Sequence, residues 1–63
     1  MDTTTKKQFI DENIAAIEAE IWKLDTLATA LTKAGLAERA ETIAKQSAEQ
    51  SRVVKAWRET PIE

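Results

Sequence analysis

Apolar residues recur along the first half of the chain at alternating steps of four and three. The positions in this row are Ile10, Ile14, Ile17, Ile21, Leu24, Ala28 and Leu31. A repeat of about 3.5 residues places these side chains along one side of an α-helix, where a second helix must cover them. The pattern predicts one long helix over about 5–34, with Thr5 and Gln8 forming a capping box at its start and Thr3 or Thr4 as alternative caps.

A helix stop is predicted at Gly35, the only glycine of the chain. Glycine readily adopts the left-handed backbone conformation that ends many helices, and the residue after it then contacts the last turn. Leu36 and Leu31 occupy the two positions of that contact. A second helix is predicted to run over about 37–59, because Pro61 pushes the residue before it out of helical geometry.

The second helix continues the same rhythm with a weaker seam. Its seam positions are Leu36, Ala40, Ile43, Ser47, Gln50, Val54 and Trp57. Two helices joined by so short a turn pack antiparallel. The predicted fold class is therefore all-α: a coiled-coil-like helical hairpin that forms a single domain over residues 1–63, with a short C-terminal tail.

The two seams are unequal, and this imbalance predicts self-association. The first helix carries more bulky aliphatic surface than the second can cover, so we expect two copies to form a four-helix bundle. A trimer or larger ring is the alternative. The predicted oligomer core consists of Ile10, Ile14, Ile17, Ile21, Leu24, Leu31, Ile43 and Val54.

The composition points the same way. Of the 63 residues 27 are hydrophobic, but 11 of these are alanine, which buries little area. Ordering a chain costs roughly 1.5 kcal/mol per residue, so a lone core of this size gains almost nothing. The chain has no cysteine and so no disulfide. Oligomerisation is the remaining common source of stability for a small domain.

The residue types present argue against an enzyme. The chain contains no His, Cys or Tyr, and no glycine-rich phosphate loop or nucleophile–base motif. No cofactor and no metal is expected. Asp11, Glu18 and Asp25 recur every seven residues and offer oxygen ligands for a divalent cation. The favoured interpretation is a solvated flank that pairs with a neighbouring helix, with Asp11 close to Arg58.

Trp22 and Leu27 lie outside the main seam and are the predicted partner-binding residues. An exposed Trp on a background of small residues often marks a binding surface. The alternative is that Trp22 packs against another subunit. Both interpretations make the chain an interaction protein, and a macromolecular partner, most simply a protein, is expected for a small regulator or inhibitor of this kind.

A basic stripe on the second helix supports a different hypothesis: an oligomer that binds a small anionic, nucleotide-like ligand or RNA. Basic side chains would hold phosphates while an aromatic or amide group orients the ligand. The alternative is charge that only solubilises the helix and complements its dipole. Ser47 and Gln50, as a polar pair in the seam, likewise either fix the register or line a small-molecule pocket, and the register is favoured. The residues of the ligand hypothesis are Lys45, Gln50, Arg52, Lys55, Trp57 and Arg58.

The start of the chain has no long apolar stretch, and no run approaches the roughly 18 apolar residues of a membrane span. A cytoplasmic protein with no membrane partner is therefore expected. The net charge of −2 argues against strong attraction to nucleic acid or anionic lipid in bulk.

In its size, hairpin form and single central turn at Gly35, the chain resembles the RNA-binding plasmid copy-number regulators of the Rop type, which are dimeric four-helix bundles. The stretch Gln46-Ser47-Ala48-Glu49-Gln50-Ser51 is similar to the Ser-Gln-x-x-Asp signature of sporulation-control aspartyl-phosphate phosphatases. It lacks the Asp, so that activity does not carry over. Short viral helical inhibitors of host defence are similar in size.

Overall fold

The computed structural model describes residues 2–61 and shows two helices packed against each other. Helix α1 spans Thr3–Lys33 and helix α2 spans Ala37–Arg58. They form a rod of 50 × 14 × 11 Å, and within the described range every regular element is helical. The predicted all-α hairpin is confirmed, while the last two residues of the predicted tail lie outside the described range. Neither α1 nor α2 combines the length and apolarity needed to span a membrane.

Helix α1 begins two residues earlier than predicted, because Asp2 caps it. The Asp2 carboxylate accepts a 2.7 Å hydrogen bond from the Thr5 backbone N–H. This bond holds the pKa of Asp2 below its usual value of 3.8. The predicted capping box is wrong, since the Gln8 side chain donates to Glu12 instead, at 3.5 Å. A carboxylate caps well here because it both accepts a free backbone N–H and opposes the positive end of the helix dipole.

The turn forms as the sequence predicts. Gly35 has a φ of +79°, in the left-handed region. Its N–H donates to the Thr32 carbonyl at 3.1 Å, and the Leu36 N–H donates to the Leu31 carbonyl at 2.9 Å. These two bonds define the Schellman motif, which satisfies the free carbonyls at the end of α1 and reverses the chain.

The core is a single row of side chains between α1 and α2, and it is thin. Ile10, Ile14 and Val54 form its buried centre, and Ile17, Ile21 and Trp57 pack against them while only partly buried. Ala40 and Ser47 are also buried. Leu24, Leu31 and Ile43 are half-buried. The predicted seam thus forms the helix–helix contact, although no side chain within residues 2–61 is completely shielded from solvent.

Candidate binding surface

Trp22 stands at the edge of an open groove between the two helices. The residue is 69% exposed, the most exposed large hydrophobic side chain of residues 2–61. The groove has a volume of about 430 Å³. We call it the Trp22 groove; it is lined by Glu18, Ile21, Trp22, Asp25, Ser51, Val54 and Arg58. Ile21 and Val54 give it an apolar floor, and charged side chains form its rim.

A short hydrogen bond next to this groove joins the two helices. The Ser47 hydroxyl donates to the Asp25 carboxylate over 2.5 Å. Ser47 is only 6% exposed, so the bond satisfies a hydroxyl that would otherwise be buried without a partner. Sequence reasoning grouped Ser47 with Gln50 and missed Asp25. The sequence places Asp25 beside the seam, in a row with Asp11 and Glu18, but it does not show that Asp25 lies opposite Ser47.

An ion pair crosses the rim of the groove. The Arg58 guanidinium lies 3.1 Å from the Glu18 carboxylate, and both side chains are about half exposed. The predicted pairing of Arg58 with Asp11 is wrong. A helical side chain leans toward the N-terminus of its own helix. For Arg58 that direction is toward the turn. Its guanidinium therefore reaches Glu18, which is nearer to the turn than Asp11 is.

The two residues predicted as one partner-binding surface lie on different sides of the rod. Trp22 and Leu27 are five residues apart, which separates them by roughly 140° around the helix axis. Leu27 is 45% exposed and is absent from the Trp22 groove. Phe9 precedes Leu27 by eighteen residues, or about five whole turns, and so shares its strip. Phe9 is 52% exposed, and it was not among the predicted partner-binding residues, although its spacing of eighteen residues from Leu27 places both on one strip.

The basic residues of α2 are partly neutralised by carboxylates. Besides the Arg58–Glu18 pair, the Lys45 ammonium lies 3.4 Å from Glu41 one turn earlier in the same helix. Arg52 and Lys55 are exposed. The stripe therefore offers less free positive charge to phosphates than its sequence suggests.

The aromatic and amide groups of the ligand hypothesis are also engaged or recessed. Trp57 is half-buried and packs against the core. Its ring meets that of Phe9 edge to face, with centroids 6.3 Å apart and an interplanar angle of 72°. Gln50 is half-buried in the seam. A Trp held in this way plugs the open end of the hairpin, so much of its surface is already used in packing.

Two of the three carboxylates in the row of Asp11, Glu18 and Asp25 contact the other helix. Asp25 accepts from Ser47, and Glu18 binds Arg58. Steps of seven residues hold neighbouring carboxylates of the row about 10 Å apart along the helix. Within residues 2–61 no three acidic side chains converge into a cluster that could hold a metal ion.

Comparison of the chain with models of protein families, with curated proteins and with solved structures gives no match. The Trp22 groove combines an exposed indole, an apolar floor and a rim with one pair of opposite charges.

Proposed function

We propose that this chain is a small non-enzymatic interaction protein, a helical hairpin that self-associates and binds a protein partner as a regulator or inhibitor. The observation that carries the proposal is the half-open core. Ile10, Ile14, Ala40 and Val54 are the only buried hydrophobic residues within residues 2–61. An isolated hairpin with so thin a core gains little from burial relative to the conformational entropy it loses.

The exposed area gives this argument a scale. A compact monomer of 7.0 kDa exposes about 4,000 Å², whereas this chain exposes 4930 Å². The excess is similar to the roughly 800 Å² that each partner contributes to a standard protein–protein interface. The radius of gyration of 15.0 Å likewise exceeds the value of about 11 Å for a compact domain of this length. One neighbouring hairpin would supply the missing cover.

The rod has two sides with different surface chemistry. One side holds the Trp22 groove with its charged rim. The other holds the exposed apolar residues Phe9 and Leu27. A hairpin with two separate contact sides can bind its own copy on one side and a different protein on the other. This is how we interpret the separation of Trp22 from Leu27.

Sedimentation equilibrium of the purified chain tests the proposal. The average mass should rise from one copy to an oligomer between low and high micromolar concentration, and the thermal midpoint should rise with it. A chain that stays folded, cooperative and monomeric at high micromolar concentration would contradict it. Trp22→Ala and Leu27→Ala should then distinguish the two sides of the rod. Only the variant on the self-association side should lose the rise of average mass with concentration.

A further inference from the structure

We propose that the Trp22 groove is the face through which two copies of this chain associate, with α1 of each copy lying antiparallel on α2 of the other. The inference rests on the self-association proposed above and assigns it to one of the two sides. A two-fold axis along the length of the rod generates the arrangement. The interface is therefore closed, and each contact occurs twice.

The Ser47–Asp25 hydrogen bond shows which residues of the two helices lie at the same position along the rod axis. Because the helices run antiparallel, Trp22, three residues before Asp25, is level with the turn of α2 between Ala48 and Ser51. Ser51 lines the groove, and Ala48 precedes it by three residues on the same strip. Rotation about a two-fold axis along the rod leaves the position of each residue along the rod unchanged. It therefore places Trp22 of one copy against Ala48 and Ser51 of the second copy.

The shapes of these groups fit each other. Ala48 and Ser51 are small and exposed, so they leave room for the protruding indole of the second copy. An aromatic side chain buried in full removes about 150–250 Å² from water, and Trp22 can contribute the 69% of its surface that is exposed in the single hairpin. Two such contacts at the centre, with the flanking α1–α2 surfaces, account for much of the uncovered area of each hairpin.

The charges are complementary in the same arrangement. Glu18 lies on the α1 side of the groove, and Lys55 follows Ser51 by four residues on the α2 side. Glu18 lies seven residues before Asp25, and Val54 lies seven residues after Ser47, so these two residues are level along the rod. Lys55 is the next residue of α2, and Glu18 of one copy therefore comes close to Lys55 of the other. Within one chain Glu18 binds Arg58, but both side chains are about half exposed and can rearrange.

Two other arrangements satisfy the geometry less well. A two-fold axis across the rod would stack α1 on α1 and set the row of Asp11, Glu18 and Asp25 against its own copy, where like charges repel. Pairing through the opposite side, with the axis along the rod, would set Leu27 against polar residues near Thr42. The Trp22 groove is the side on which opposite charges and matching shapes coincide.

Two arginine variants on α2 test the assignment by sedimentation. Ala48→Arg puts a long charged side chain where the indole of the second copy would sit, and should raise the dissociation constant of the dimer by about 100-fold or more. Ala56→Arg is the matched control. Ala56 is also an exposed alanine of α2, but it lies beside Val53 and Trp57 away from the groove. This control should dimerise like the wild type, and circular dichroism verifies that both variants stay helical.

A mixing experiment tests the charge pair. Glu18→Lys and Lys55→Glu should each weaken the homodimer by about tenfold, because each places like charges across the interface twice. An equimolar mixture of the two variants should recover an affinity within about twofold of the wild type, since both α1–α2 contacts of the mixed dimer pair opposite charges. Loss of folding in one variant cannot produce this recovery.

The outcomes separate the two proposals. If the wild type assembles, Ala48→Arg has no effect and Ala56→Arg prevents assembly, the interface lies on the opposite side of the rod. That result would overturn this inference but would leave self-association intact. An oligomer indifferent to both variants, or a mixture that does not recover, would also overturn it. A wild type that remains a folded monomer at high micromolar concentration would instead refute the self-association on which it rests.

Discussion

The Ser47 hydroxyl donates a 2.5 Å hydrogen bond to the Asp25 carboxylate across the two helices. The rest of the seam is mostly aliphatic, and aliphatic side chains pack in more than one register. A slip by one turn would leave the Ser47 hydroxyl, 6% exposed, facing apolar side chains without a partner. The polar contact therefore selects one register of α1 against α2, as single buried polar residues do in coiled coils.

A double-mutant cycle on this pair should show coupling. Ser47→Ala and Asp25→Ala should each lower the free energy of unfolding, with a coupling energy of about 1 kcal/mol, because the bond is charge-assisted but the carboxylate is partly hydrated. Urea unfolding measures it. Ser51→Ala is the control, since the Ser51 hydroxyl donates to the Ser47 carbonyl within α2 and not across the two helices. Strictly additive single effects would show that the bond contributes nothing to stability.

The turn makes a second prediction. Gly35→Ala should destabilise the hairpin by about 1–2 kcal/mol, because an L-residue is strained at a φ of +79°. Apart from its two neighbours in the chain, none of residues 2–61 comes within 4 Å of an added Cβ, so the cost comes from the backbone conformation alone. Gly35→Asn should cost less, since asparagine tolerates this conformation. Equal losses for the two variants, measured by thermal unfolding, would contradict this explanation.

The sequence predicts the elements whose cause is local. The steps of four and three determine which face of each helix is apolar, and one glycine determines where α1 ends. The start of α1 is less determined, because Asp2 and the three threonines after it are all competent caps. The structure uses Asp2, the capping residue that also carries a negative charge at the positive end of the dipole.

Contacts between side chains depend on the direction in which each side chain leans, and the hydrophobic periodicity does not give that direction. Residue spacing along the rod suggested Asp11 as the partner of Arg58, but the lean of a helical side chain brings Arg58 to Glu18. The separation of Trp22 from Leu27 was within reach of the sequence, because five residues along a helix correspond to roughly 140°. Predicting the contact of Ser47 with Asp25 requires the position of one helix relative to the other along the rod axis.

The Asp2 cap predicts a pH dependence of α1. The folded pKa of Asp2 is lowered, chiefly by the hydrogen bond from the Thr5 backbone N–H. Its contribution to stability is therefore fully present above the unfolded value of 3.8 and is lost as the pH falls through the lowered folded pKa. The Thr5 amide proton should shift in NMR spectra over that acidic range. In Asp2→Asn the helix should keep its cap while this shift disappears; a persistent shift would implicate another carboxylate.

The two tryptophans should respond in opposite ways to replacement. Trp57 is half-buried against the core and Phe9, so Trp57→Ala should lower the free energy of unfolding by about 2 kcal/mol at every protein concentration. Trp22 is 69% exposed and contributes little to the fold of a single hairpin. Trp22→Ala should instead abolish the rise of the thermal midpoint with concentration, because that rise reports association. Circular dichroism melts over a range of concentrations distinguish the two effects. If Trp22→Ala lowered the midpoint equally at all concentrations, the indole would belong to the fold of the single chain, and its exposed position would need a different explanation.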